Sequence, residues 1–514
     1  MDEKAVSFVD IGTNSVRTMV VRLNPNYSYS VLSRQKQVVR LGEEEFIDRE
    51  LIDAAIERCV LVCKRFSEMG RSYGAQEFVA VATSAVREAK NREILLKRLR
   101  EEAGLDVRVI SGREEARLIH LGVASSFSLE DKTAVFIDIG GGSTEISVAK
   151  DGNLVYLDSL KLGAIRLSTL FIPDGGEQPV PNERYEMMKK SVRNDVVRSS
   201  QRFKKFKFDL AVGSSGTILN LAEVASKPRV SPMPEPLALD RLKRTSQMLR
   251  SLSLDERRKV PRINPERADI IIGGAVILET LMEEWGIKEI VPSERGLLDG
   301  LLVDYLSKIE GFPQYQKMSV RESNVLQLGR SCGLDEGHAL VVKRLAVELF
   351  DTAKAEGLHK LGAEERELLG YAAYLHDVGD FISFTNHQAH SHYIILNAEL
   401  LGFDQKEIEM MADLAFYHRG KLPGRGSEEL DDLDDETKDS LITMSAFVRL
   451  AEALDRSHCA LIEHAEFVNV TDNEVLVEVT AKGDCQLERW GAEAQAKSFK
   501  KAFKRDLVLR FHVM

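Results

Sequence analysis

Residues Phe8–Ser15 read FVDIGTNS and residues Phe136–Ser143 read FIDIGGGS, the same pattern recurring 128 positions later. Each apolar run delivers an aspartate and then a turn of small residues. A second strand-like run follows in both places, Thr18–Leu23 and Glu145–Ala149. Apolar run, Gly-bearing turn and apolar run together spell a β-hairpin, so the sequence predicts two hairpins whose tips are the DIGxxS turns. The duplication in turn predicts two related lobes that present these tips to one cleft.

Around both hairpins, strand and helix signals alternate. Glu77–Ala82 and Val107–Ile110 read as buried strands, followed by helical stretches at Asn91–Ala103 and Glu114–Gly122. In the second half Asp209–Gly213 is a short strand, the loop SSGT leads into a helix over Ile218–Ala225, and Lys288–Val291 passes through PSERG into a helix ending near Ile309. This is α/β patterning. After Gly311-Phe312-Pro313 the texture changes, and from Met318 to His464 apolar residues recur at helical spacing. That block holds nine of the eleven histidines. From Glu466 onward FVNV, VLVEVT and LVLRFHV read as a small β-rich tail. The predicted segments are 1–118 and 119–310 for the two lobes, 318–465 for an all-α domain and 466–514 for a small α+β domain, in keeping with the domain count that a 514-residue chain allows.

Composition excludes several classes. Hydrophobic residues at 44% and charged residues at 29% are those of a globular chain, not a disordered one. A formal charge of -11 argues against a protein that coats DNA through a basic surface. The five cysteines, Cys59, Cys63, Cys332, Cys459 and Cys485, contain no CxxC and are odd in number, so neither a disulfide framework nor a zinc ribbon is expected. No apolar stretch reaches the roughly 20 residues that span a bilayer, and the N-terminus lacks the basic start of a signal peptide. The expectation is a cytoplasmic protein with no DNA and no membrane partner.

Glycine lets backbone N–H donors approach a phosphate closely. Three turns offer this: Gly12-Thr13-Asn14-Ser15, Gly140-Gly141-Gly142-Ser143-Thr144, and Gly213-Ser214-Ser215-Gly216-Thr217 at a strand-to-helix junction. Asp10 and Asp138, each at a strand end beside such a turn, suit Mg²⁺, which takes a few carboxylates together with water and substrate phosphates. A turn-capping role is the simpler reading of either aspartate alone. There is no GxxxxGK[ST] loop and no GxGxxG after a strand, which leaves P-loop NTPases and dinucleotide oxidoreductases without support.

DIGTNS with Arg17, TSAVREAKN over Thr83–Asn91, ISGREEARLI over Ile110–Ile119, DIGGGSTE over Asp138–Glu145, GSSGT and SERGLLDG together resemble the exopolyphosphatase/guanosine pentaphosphate phosphatase (Ppx/GppA) family across roughly the first 300 residues. The resemblance implies an α/β fold of two actin-like lobes (the ASKHA, ribonuclease H-like fold), a homodimer, and removal of terminal phosphate with Mg²⁺ or Mn²⁺ from inorganic polyphosphate or guanosine pentaphosphate. It implies Glu115 as the general base that orients the attacking water, Asp138 as a metal-associated aspartate with Glu145 beside it, and Arg87 against substrate phosphate. Read from the helix alone, Glu114 and Glu115 are acidic residues favouring a helix N-terminus. Arg17 stands where many members carry another residue.

In the helical block, His376-Asp377 closes the apolar run EERELLGYAAYLHD, with His338 upstream and Asp455 in RLAEALDRSH downstream. This order resembles the HD metal-dependent phosphohydrolase domain, and imidazole with carboxylate can hold a divalent metal. His387, His390, His392 and His418 are candidate ligands for a second metal. The alternative is an HD-like scaffold without its own metal. The basic stretches Arg202–Lys207 and Lys497–Arg505 either guide a polyanion or are amphipathic helices with a buried Phe stripe, and the acidic run Glu428–Asp439 reads as a solvated loop. Two other functional classes remain open: a phosphotransferase of the same fold, and a polyphosphate or alarmone sensor without turnover.

Overall fold

The computed structural model describes all residues except 1–2, 44–47, 128, 130–131, 173–174, 204, 227–234, 310–317, 399, 428–429, 431–432 and 514. The chain divides into two compact units, Met1–Gln314 and Tyr315–Met514.

In the first unit the FVDIGTNS stretch is the end of β1 (Lys4–Ile11) and the turn into β2 (Ser15–Leu23), which is followed by β3 (Tyr29–Val38), β4 (Ala75–Ala82) and β5 (Val107–Val109). The sheet order is β3-β2-β1-β4-β5. β1, β2 and β3 pair antiparallel, and β1, β4 and β5 run parallel. FIDIGGGS occupies the same place in the second sheet. Its strands are β6 (Thr133–Ile139), β7 (Thr144–Lys150), β8 (Asn153–Leu160), β9 (Leu210–Ser214), β10 (Leu237–Ala238) and β11 (Glu289–Ser293), in the order β10-β11-β9-β6-β7-β8. Without β10 the two sheets share one topology, and both are actin-like sheets. The hairpin prediction holds and extends by one strand on each side.

β1 and β6 are apolar almost throughout because helices cover them, as a central strand buried on both faces requires. The lobe boundary at residue 118 needs correction. It falls inside one helix, Gly112–Ala124, whose N-cap Ser111 accepts a hydrogen bond from the Glu114 N–H at 3.2 Å. A second correction concerns Leu297–Leu306, assigned to the second lobe. This helix packs along Gly112–Ala124 and reaches the first sheet, where Tyr305 meets Phe8 edge to face and donates to Glu77 at 2.8 Å. Glycines permit the approach: a Cβ on Gly300 would stand 1.8 Å from the Leu118 carbonyl oxygen, and one on Gly122 2.4 Å from that of Gly296.

In the second unit, helices Val320–Ser331, Glu336–Ala355, Ala363–Leu375, His387–Asn397, Gln405–Tyr417 and Asp435–Ala453 precede a sheet of β12 (Ile462–Val470), β13 (Glu474–Ala481) and β14 (Asp506–Val513). The sheet separated as a tail over 466–514 shares one hydrophobic core with these helices: Phe467, Val477 and Val479 belong to the same buried cluster as Leu345, Phe350 and Phe447. The alternating apolar residues of β13 give it one face to bury, and the helices supply the cover. Of the acidic run, residues 428–429 and 431–432 lie outside the described residues. Asp434 caps the helix that begins at Asp435, so the end of that run is helical rather than loop. Among the described residues no helix is long and apolar enough to cross a membrane.

Candidate active site

The two hairpin tips meet in the first unit. In each turn the glycine N–H donates to the serine carbonyl three residues on, Gly12 to Ser15 at 3.1 Å and Gly140 to Ser143 at 2.9 Å. A Cβ on Gly141 would stand 3.1 Å from the Thr13 side chain, so the turns touch across the lobes and leave a cleft beside them. Asp10, Gly12 to Ser15, Arg17, Thr83, Glu115, Asp138, Gly140 to Ser143, Ser215 to Thr217 and Arg267 line it. Register fixes what faces each aspartate. Asp10 lies opposite Arg17 across β1 and β2, and Asp138 lies opposite Glu145 across β6 and β7.

Glu115 enters from the first turn of the helix Gly112–Ala124. Arg87 Nη1 donates to its Oε2 at 2.9 Å and to the Ile110 carbonyl at 3.0 Å. Burial pushes the Glu115 carboxyl up to about 7; the Arg87 guanidinium pulls it back, and Asp10 and Asp138 add to the rise. Burial likewise raises Asp10 to about 6, against the pull of Arg17 and with Asp138 adding to it. Glu145 is pushed well up by burial and by the charges of Glu115 and Asp138, although Ser159 donates to its Oε1 at 2.8 Å. Burial raises Asp138 too, while the Ser214 hydroxyl that donates to Oδ2 holds it down.

Four buried carboxylates that oppose one another's ionisation would be relieved by a cation among them. The donor set is all oxygen, as Mg²⁺ prefers, and Asp10 Oδ1 is buried with no hydrogen-bond partner among the described residues. Asp10, Asp138 and Glu145 therefore fit the metal that the resemblance implies.

Two cations face this cluster. Among the described residues neither Arg17 nor Arg267 forms an ion pair, and Arg267 is only 6% exposed. Burial and the like charge of Arg17 push the Arg267 guanidinium down to about 10. Asp138, Glu266 and Asp269 oppose that fall, but none of them stands within ion-pair distance, so the guanidinium is placed to take up an incoming anion. Arg267 sits on the single turn Pro265–Arg267, packed over Gly216. The sequence reading missed it, since a lone arginine in NPERAD has no local signal. Ser215 takes φ 77°, strained backbone for a residue with a Cβ, at the junction that lets Gly216 lie under Arg267.

Some predicted phosphate contacts are engaged elsewhere. Gly213 is a packing glycine, for a Cβ there would stand 2.8 Å from Ile218 and Ile290. Thr144 is fully buried and donates to the Leu162 carbonyl at 2.6 Å. Ser214 acts through Asp138, and Arg87 through Glu115.

Residues 19–309 match the model of the Ppx/GppA phosphatase family, and residues 320–491 match Ppx/GppA phosphatase, domain III. The chain belongs to the Ppx/GppA phosphatase family. A relative from Photobacterium profundum, named guanosine-5'-triphosphate,3'-diphosphate pyrophosphatase, is 27% identical over 414 residues, 80% of each chain. The crystal structure of an exopolyphosphatase from Cytophaga hutchinsonii is 25% identical and covers 60% of this chain and 99% of its own, with a TM-score of 0.56. That of an exopolyphosphatase-like protein is 26% identical over 59% of this chain and 98% of its own, with a TM-score of 0.55. Ppx/GppA phosphatases are phosphoanhydride hydrolases, and this chain is an enzyme of that class.

Inside the segment matching Ppx/GppA domain III, the histidine pattern is brought together in part. His338, His376 and Asp377 converge, and so do Asp377, His387 and His418. Asp455 takes a different place from the ligand role given to it: its Oδ2 accepts from His338 Nδ1 at 2.8 Å and its Oδ1 from the Ala460 N–H at 2.8 Å, so it holds His338 in position. His392 turns to Asp413 at 3.2 Å, and neither it nor His390 joins either group. The basic stretches are ordinary amphipathic structure. Phe203 and Phe499 are buried, and Lys500 pairs with Asp506 at 2.7 Å. Lys204 lies outside the described residues.

Proposed function

We propose that the cleft removes the terminal phosphate of inorganic polyphosphate and releases orthophosphate. The observation that carries this reading is Glu115, a buried carboxylate raised to about 7 and held by Arg87 in a cleft that also presents Asp10, Asp138, the glycine turns and the guanidinium groups of Arg17 and Arg267. A base with a pKa near neutrality can accept a proton from water at working pH. The backbone N–H groups of the two turns cradle the terminal phosphate, and Arg17 and Arg267 offset its charge. Water held by Glu115 attacks the terminal phosphorus, its proton passes to Glu115, the bridging P–O bond breaks, and the shortened chain leaves with the bond's electron pair. Asp10, Asp138 and Glu145 would hold Mg²⁺ or Mn²⁺, which neutralises charge on the phosphate oxygens when bound.

A second reading, removal of the 5'-terminal phosphate of guanosine pentaphosphate, is favoured by the name of the Photobacterium relative. Both substrates present the same terminal phosphoanhydride. Phosphate release from long-chain polyphosphate and from guanosine pentaphosphate, measured side by side with Mg²⁺, decides between them. Glu115→Gln should lose about 10²–10⁴-fold in kcat on the true substrate; near wild-type turnover would overturn the role of Glu115.

A further inference from the structure

The cross-strand register of the first sheet carries the cleft outward. Asp10 on β1 pairs with Arg17 on β2, and Arg17 pairs in turn with Lys36 on β3. Directly opposed residues share one face of a sheet, so the three side chains form a single row. It starts in the cleft, which Asp10 and Arg17 line, and ends on the edge strand, where Lys36 is exposed. Two strand spacings, about 9.6 Å, separate its ends.

The outer part of this row is held against its own electrostatics. Like charges directly opposite each other on neighbouring strands are destabilising, yet Arg17 faces Lys36. Loss of solvent and the charges of Arg267 and Arg17 pull the Lys36 ammonium down to about 8, and Glu266 opposes the fall. Asp269 is taken up by Arg40 at 2.6 Å, and among the described residues none of Arg17, Lys36 and Arg267 has an ion-pair partner. Three cations from both lobes thus converge with no carboxylate bound to any of them.

The β4 side of β1 is different. There the turn Ser84–Glu88 follows the strand, and Glu88 accepts from Arg166 Nη2 at 2.8 Å and from Lys161 Nζ at 3.1 Å. Arg87 in the same turn is bound by Glu115. Cations on that side are neutralised by the protein itself, while those on the β2 and β3 side are open to a polyanion.

On the polyphosphate reading, on which this step rests, we infer that the substrate chain leaves the cleft over the first lobe, past Arg17 and Arg267, and that Lys36 binds a phosphate inside the chain. Phosphates enter the row one after another from the terminal group in the glycine turns. The contact at Lys36 therefore separates long chains from pyrophosphate, which the turns and the two arginines hold by themselves.

Steady-state kinetics of the full chain at fixed Mg²⁺ tests this path, with phosphate release from long-chain polyphosphate and inhibition by pyrophosphate measured over a range of salt. Lys36→Gln should raise KM for the long chain about five- to tenfold, and Lys36→Glu further, with kcat within about twofold of wild type. The slope of log KM against log salt concentration should fall by about one, which loss of a merely structural lysine would not produce. Lys36→Arg should restore both values. Pyrophosphate inhibition should stay as in wild type, which also shows that the cleft is intact. An unchanged KM and salt slope in Lys36→Glu, an equal loss of affinity for pyrophosphate, or the same change of slope in Lys161→Gln overturns the path. Wild-type protein that neither cleaves nor binds long-chain polyphosphate overturns the polyphosphate reading itself, and the path with it.

Discussion

Arg87 binds the Glu115 carboxylate at 2.9 Å from the helical turn Ser84–Glu88, so the residue expected to touch substrate phosphate holds the carboxylate proposed as the base. The guanidinium favours the ionised carboxylate and opposes the upward push of burial. Removing it raises the pKa of Glu115 further, and a base is useful only when deprotonated. In Arg87→Met the acid limb of kcat/KM should move to higher pH, and each unit of movement lowers the rate on that limb by about tenfold. The pH profile of phosphate release checks this. A limb that stays in place while KM alone rises would put Arg87 on the substrate instead.

Arg267 and Gly216 should behave as one unit. A Cβ on Gly216 would stand 2.3 Å from Arg267 Nη2 and 2.5 Å from its Cζ, and the buried side chain has little room to withdraw. Gly216→Ala should therefore displace the guanidinium and raise KM in the same direction as Arg267→Ala, by about tenfold or more for loss of one charge-assisted phosphate contact. Because both changes act through one group, the double variant should be no worse than the weaker-binding single variant. Additive losses in kcat/KM would show that the two residues contribute separately.

What the sequence disclosed and what it hid divide along contact range. The DIGxxS hairpins are local, so Asp10, Asp138 and both glycine turns are readable from a run of eight residues. Glu115 is local too, but an acidic residue in a first helical turn is so common that only the resemblance singled it out. Arg267 reaches the cleft through a fold that joins it to Gly12 over more than half of the first unit, and nothing in NPERAD announces it. Gly213 was misread because a phosphate-binding glycine and a packing glycine share the same local pattern; the neighbours Ile218 and Ile290 decide, and Ile290 is distant in sequence. His387 and His418 were separable from His390 and His392 only once two helices, His387–Asn397 and Gln405–Tyr417, lay side by side.

The contact between the helices Gly112–Ala124 and Leu297–Leu306 should be intolerant of a single methyl group. At Gly300 a Cβ would stand 1.8 Å from the Leu118 carbonyl oxygen, which is backbone and cannot rotate away. Gly300→Ala must spread the helices, at a cost of roughly 1–3 kcal/mol or more, and the moving helix carries Glu115. The expected result is a lower unfolding midpoint together with a lower kcat. Wild-type stability in Gly300→Ala would mean that the helices are not packed this closely.

His120 should give the first unit a specific sensitivity to acid. It is buried on the helix Gly112–Ala124, with Nδ1 2.9 Å from Ser147 Oγ and its ring edge to face with Phe136. Burial pushes its pKa down to about 4 from an ordinary 6.5. Between these values the unfolded chain binds the proton and the folded chain refuses it. Stability from this residue is therefore complete above about pH 6.5 and is lost progressively as pH falls toward 4, by roughly 3 kcal/mol in all. The raised carboxyls of Asp10 and Glu115 work in the opposite direction, since the folded state gains protons at them as pH falls. They are common to wild type and variant, so the difference isolates the histidine. His120→Gln, which keeps a polar side chain beside Ser147, should lose less stability between pH 7.5 and 5 than wild type in denaturant unfolding of the full chain. Equal losses in the two proteins would mean that the folded chain takes up the His120 proton as readily as the unfolded chain does.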